Sequence, residues 1–159
     1  MHYDKKKRNE IDRCNICGKR TKLSWDHVPP KCCNNNSKIK VNTFFEGPPN
    51  DGAKDYIKNF QNGVKYRSIC NECNNSLLGG NYDKELERFT QTIDRNLTTN
   101  IILPRDINIK INVNMLCRAI CGHLLAAKNF FDNSINENIL REYVLNDSLY
   151  PPENFKLLY

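Results

Sequence analysis

Hydrophobic and polar positions change period several times along this chain, and each change marks an expected element. Residues 1–13 carry Lys5, Lys6, Lys7 and Arg8 among few apolar positions and read as a loose basic arm. Residues 22–27, with Leu23 and Trp25 between polar neighbours, predict a short strand that Pro29-Pro30 stops. A further strand at 39–45 and a short helix at 53–61 flank the turn signal Gly47-Pro48-Pro49-Asn50-Asp51-Gly52. Residues 64–69 alternate as a strand, and 71–78 read as a helix ended by Gly79-Gly80. The next helix spans 83–97, with Leu86, Phe89, Ile93 and Leu97 on one core-facing stripe. Ile107, Ile109, Ile111 and Val113 alternate with polar residues, so 106–113 is the clearest strand of the sequence. Helices follow at about 114–131 and 135–145, the second with Ser134 as its cap and Glu137 three positions on. Tyr150-Pro151-Pro152 and the apolar positions 155–159 suggest an oligomer contact or a cut through a larger protein, and no internal repeat is visible.

The predicted fold class is α+β: a small metal-stapled core at 14–98 behind the arm at 1–13, then a mainly helical accessory or oligomerisation part at 99–159. At 159 residues the length fits one domain. Only 39% of residues are hydrophobic, so a bound metal, which contributes directly to folding free energy, would compensate for a modest core. No apolar run approaches the roughly 18 residues that span a bilayer, and the charged start lacks the apolar stretch of a secretory signal. A cytoplasmic protein without membrane attachment is therefore expected, its eight cysteines serving as metal ligands and free thiols. The net charge of +6 favours an acidic partner, nucleic acid above all, although a Lys- and Asn-rich composition produces the same charge.

Two Cys-x-x-Cys hooks stand out, Cys14/Cys17 followed by Gly18 and Cys70/Cys73 followed by Asn74. Four thiolates from two such hooks make a tetrahedral zinc site, even though the gap between them is longer than in a compact zinc ribbon. Cys32-Cys33 are competing ligands, read here as thiols near the site. Cys117 and Cys121 lie four apart among Leu116, Ile120 and Leu125 and read as small core residues.

The series Cys14-x-x-Cys17-Gly18, Leu23-x-x-Asp26-His27-Val28-Pro29-Pro30-Lys31 and Cys70-x-x-Cys73-Asn74 resembles the HNH endonuclease superfamily in its cysteine-zinc branch. The resemblance covers about residues 14–90. It implies a ββα-metal, or treble-clef, core: a hairpin carrying Asp26-His27 against a helix that begins at the second cysteine pair. His27 would be the general base that activates water. Asp26 and Asn74 would be ligands of a catalytic Mg2+ or Mn2+ ion, separate from the structural zinc. The implied activity is metal-dependent hydrolysis of phosphodiester bonds, with DNA as the expected substrate. Residue chemistry agrees: histidine titrates near neutral pH, and oxygen donors suit hard divalent ions.

The sequence also departs from the family. The middle asparagine of the motif falls near Lys65, and the last histidine is Asn74, with Asn75 an alternative. A non-catalytic treble-clef module that binds nucleic acid or protein therefore stands as the second reading. A subunit active only in a homodimer or a larger defence or restriction assembly is a third. Arg20, Lys31 and Arg67 suit phosphate contacts or are solvated charges. Trp25 either stacks on a base or fills the small core, His123 belongs to an apolar helix in a structural role, and His2 on the arm is inert.

Overall fold

The computed structural model describes residues 8–33, 39–41, 58–60, 64–99, 102 and 104–152. Its centre is β2 (Arg20–His27), which pairs antiparallel with β1 (Ile11–Arg13) on one side and β5 (Lys65–Cys70) on the other. The end of the expected arm is thus part of the sheet. Arg8 is buried there, its guanidinium donating to Asp12 Oδ2 (2.9 Å), Asn15 Oδ1 (2.5 Å) and the Arg13 carbonyl (2.5 Å). Between β1 and β2 the first cysteine hook makes a tight knuckle. Gly18 N–H donates to the Cys14 carbonyl and Cys14 N–H to the Lys19 carbonyl, both at 2.9 Å, with Gly18 at φ +69°, a conformation that favours glycine.

The β2–β5 ladder carries a bulge. Ser24 pairs with Ile69 but Trp25 with Arg67, which leaves Ser68 as the extra residue. A bulge adds local twist and re-aims side chains. Below it Leu23 is buried in the core, and beyond it Asp26, of opposite parity, is buried as well. A second, two-stranded pairing joins β3 (Ile39–Val41) to β4 (Lys58–Phe60). Residues 58–60 are thus strand where a helix is expected over 53–61; positions 42–45 and 53–57 lie outside the described residues, as do His2 and 155–159.

From Glu72 to Tyr82 the chain winds as a π-helix that runs straight into α1 (Asp83–Thr99). Gly79-Gly80 do not end a helix here. A Cβ on Gly79 would stand 3.3 Å from the Asn74 carbonyl oxygen, and one on Gly80 3.3 Å from that of Asn75. Each contact links residue i to i+5, the spacing of the wide π turn, and the missing side chains relieve crowding inside it. The apolar stripe on α1 is only partly used: Leu86 is buried and Phe89 packs on the core, but Leu97 is 57% exposed.

Residues 106–112 form no strand. The alternation of Ile107, Ile109 and Ile111 finds no partner strand among the described residues, and an unpaired strand leaves its backbone groups unsatisfied. Val113 opens α2 (Val113–Ala126), capped by Asn112 Oδ1, which accepts from Met115 N–H at 3.2 Å. This helix ends at Ala126, short of the expected 131. α3 (Ile135–Leu145) has the expected cap, Ser134 Oγ accepting from Glu137 N–H.

One core unites the parts on either side of residue 98. Cys14, Ile16, Leu23, Ile69, Leu78 and Tyr82 cluster with Leu116, Ala119, Cys121, Leu125, Tyr143 and Val144, and Cys117 is buried in the same cluster. Within it Arg118 lies over the rings of Tyr143 (4.3 Å) and Tyr82 (6.0 Å) and donates to the carbonyls of Tyr143 and Leu149. Those hydrogen bonds are what make a buried guanidinium tolerable. No helix among the described residues is long and apolar enough to cross a membrane.

Candidate functional site

The four hook cysteines converge. Cys14 and Cys17 come from the knuckle, Cys70 from the end of β5 and Cys73 from the start of the π-helix, and their sulfurs all lie within 4.8 Å of one another. The Cys17–Cys70 separation is 3.9 Å. Sulfurs at the corners of a zinc tetrahedron stand about 3.8 Å apart, given Zn–S bonds of about 2.3 Å. The cluster can therefore hold a metal ion. The Cys14 thiol is pulled down to about 5 by the Cys73 thiol beside it, helped by backbone N–H groups. The Cys70 N–H donates to Cys14 Sγ, with nitrogen and sulfur 3.3 Å apart. The contact between the Cys14 and Cys73 thiols pushes Cys73 up, and burial pushes Cys17 up to about 11. Four thiols so close cannot all ionise without a cation among them, and a soft divalent ion would let them do so.

The knuckle is clamped from the C-terminal part. Asn15 Nδ2 donates to the carbonyls of Leu125 (2.9 Å) and Lys128 (3.2 Å), and Ser68 Oγ donates to that of Ala126 (2.5 Å). These carbonyls lie at the end of α2 and just past it, where a helix has no partners of its own. Asn15 and Ser68 thus cap the end of the helix at Ala126. Arg141 on α3 completes the clamp, donating to the Asn15 carbonyl at 2.8 Å and lying 4.2 Å from the centre of the Phe131 ring.

Asp26 and His27 end β2, where His27 stands opposite Lys65 and Val28 N–H donates to the Val64 carbonyl. The Val28–Pro29 bond that follows is cis. Asn74 reaches back to this strand, its Nδ2 donating to Ser24 Oγ and to the Trp25 carbonyl, both at 3.1 Å. Its amide oxygen is the atom left for a ligand. Asn75 is exposed and donates instead to Asn71 Oδ1, so Asn74 is the asparagine beside the Asp26-His27 strand.

Sequence reasoning misses the side chain that meets Asp26. His123 of α2 has its Nδ1 3.4 Å from Asp26 Oδ2 and its Nε2 2.9 Å from Asp83 Oδ1, at the start of α1. Both Asp26 (6% exposed) and His123 (5% exposed) are buried, and neither Asp26 Oδ2 nor His123 Nδ1 makes a hydrogen bond. Burial alone would depress the imidazole, but the two carboxylates outweigh it and hold it at about 9. The one signal in the sequence is a histidine placed in a mainly apolar helix.

The proposed phosphate contacts do not form one patch. Arg20 is exposed at the start of β2, Lys31 is exposed in a short 3-10 turn (Lys31–Cys33) beyond its far end, and Arg67 is half-buried. Trp25 does not fill the core: it is 45% exposed and carries Arg67 at 4.8 Å over its ring. Cys32 and Cys33, with sulfurs 4.0 Å apart, are not in the four-sulfur cluster. Burial, then the neighbouring thiol and the carboxylates of Asp83 and Glu87, push the Cys32 thiol up to about 12.

Comparison with protein-family models, with curated proteins and with solved structures gives no match for this chain.

Proposed function

We propose that this chain is a metal-dependent nuclease of the HNH type that hydrolyses phosphodiester bonds, with DNA as its substrate and zinc on the four cysteines of a treble-clef core. The observation that carries the reading is the meeting of three residues on one strand end. Asp26 and His27 close β2, and Asn74, directly after the last cysteine, grips the backbone of the preceding Trp25. The cysteine cluster holds strand and π-helix in that relation.

His27 is the proton acceptor, an imidazole suited to taking a proton from water near neutral pH. The buried Oδ2 of Asp26, which has no hydrogen bond, and the amide oxygen of Asn74 would hold Mg2+ or Mn2+. That ion, when bound, supplies charge stabilisation to the phosphate. Arg67, beside the exposed Trp25, and separately Lys31, past the end of β2, would supply positive charge to nucleic acid.

A second reading, a nucleic-acid-binding module without catalysis, is favoured by Lys65. This lysine stands across from His27 near the position where the resemblance calls for an asparagine. Incubating the protein with plasmid and single-stranded DNA, in Mg2+, Mn2+ or EDTA, separates the two. Cleavage that needs metal and disappears in a folded, zinc-bound His27→Ala variant supports the nuclease. DNA retardation without cleavage under every condition, alone or as an oligomer, supports the module.

A further inference from the structure

The meeting of Asp26, His123 and Asp83 goes beyond any of these roles. Three elements that are far apart in sequence, β2, α1 and α2, each contribute one side chain to it. A carboxylate accepts at neutral pH, so the 2.9 Å bond to Asp83 Oδ1 places a proton on Nε2 of His123. Its Nδ1 faces a second carboxylate oxygen, Asp26 Oδ2, at 3.4 Å, with no hydrogen bond between the two buried atoms. Such a buried pair needs a cation between its atoms, either a proton on Nδ1 or a metal ion that takes the place of that proton.

The spacing suits a metal. Two donors bound side by side to one ion, with bonds of about 2.1 Å, stand about 3.0–3.4 Å apart. A charged N–H···O bond between the same groups would be shorter, about 2.7–2.9 Å. The Asp83–His123 bond is the arrangement that fixes the tautomer of a metal-bound histidine and raises its basicity.

We propose that His123 Nδ1 and Asp26 Oδ2 are paired ligands of a first-row divalent ion, and that Asp83 is the positioning residue that turns the imidazole toward it. This deepens the nuclease reading, on which the catalytic use of the ion rests; the binding site itself does not depend on it. An imidazole ligand shifts preference away from Mg2+ and toward Mn2+ or Zn2+. It also gives the C-terminal helices a task, because α2 delivers a ligand to the site.

The test begins with protein whose four-cysteine site carries zinc. It is titrated with Mn2+ alone, without nucleic acid, and the free ion is counted by electron paramagnetic resonance. Wild type binds one Mn2+. Affinity falls tenfold or more in Asp26→Asn and His123→Ala, falls about tenfold in Asp83→Asn, and holds in His27→Ala. No Mn2+ bound by wild type, or unchanged affinity in His123→Ala, overturns the assignment.

Removing a buried imidazole can unfold the chain, so wild-type protein labelled with 15N-histidine supplies a second measure. Its three histidines are few enough to assign by substitution. Added Zn2+ shifts Nδ1 of His123 to a metal-bound position while Nε2 keeps its proton. A His123 protonated on both nitrogens at saturating Zn2+ overturns the assignment. Ion bound at these residues without DNA cleavage counts against the nuclease alone; cleavage without ion at His123 counts against this site alone.

Discussion

Gly122 and Leu78 are in such close approach that a methyl group on Gly122 would lie 2.4 Å from Leu78 Cδ2. The glycine lets α2 settle onto the π-helix, and His123 is the next residue along. Gly122→Ala is expected to destabilise the protein by about 1–3 kcal/mol through overpacking, measured by denaturant unfolding. Leu78→Ala alone should lose about 2–5 kcal/mol by leaving a cavity. The double variant should lose less than the two single losses combined, because the added methyl occupies space the leucine vacates. Strict additivity would mean that the two residues do not touch.

Asn15→Ala removes the donor that serves the carbonyls of Leu125 and Lys128. Leaving buried carbonyls unserved costs about 1–3 kcal/mol, so the thermal midpoint should fall. Amide exchange should also rise selectively in the last turn of α2. A midpoint unchanged by this substitution would show that water serves those carbonyls equally well.

Zinc on the four cysteines is expected at one ion per chain, released by a thiol-reactive mercurial and counted with a chromogenic chelator. Replacing any one of Cys14, Cys17, Cys70 or Cys73 with serine should abolish stoichiometric zinc. It should also unfold the β2–β5 region, since metal binding contributes to the folding free energy. Full metal content in Cys17→Ser, the least buried of the four, would point to a three-ligand site.

His27→Ala should lower the DNA cleavage rate by about 10²–10⁴-fold, the usual contribution of a positioned base. Folding should be little changed. A loss below tenfold in single-turnover measurements would remove His27 from that role.

Trp25 and Arg67 make an exposed pair on β2 and β5. Trp25→Ala is expected to weaken single-stranded DNA binding by about 1–3 kcal/mol, the worth of one stacked base. Arg67→Gln should lower the slope of log affinity against log salt by about one phosphate contact. Identical binding by both variants would move the nucleic acid to another face.

What could be read from the sequence was local. The cysteine hooks declare themselves by spacing, which is independent of the hydrophobic pattern, and the structure brings all four sulfurs together. Ser134 and Glu137 announce the start of α3 through chemistry confined to one turn. The failures come where a local rule meets a distant partner. Alternation at Ile107, Ile109 and Ile111 describes an extended chain, but a strand exists only if a neighbour accepts it. Gly79-Gly80 stop an α-helix, yet a π turn draws its carbonyls past those positions. His123 reads as an internal histidine because Asp83 lies 40 residues away and Asp26 farther still, and no periodicity connects them.

The hydrogen bond from Arg141 to the Asn15 carbonyl joins residues 126 positions apart. During synthesis, all four cysteines leave the ribosome well before that arginine does. The hooks can therefore take up metal on a chain whose apolar surface, Ile16, Ile69 and Leu78 included, still awaits its cover. With the proposed ion, its capture would be an early holding step, and seating of α2 and α3 a late one. Were the proposed zinc site filled in this way, starvation for zinc would be felt first by nascent chains.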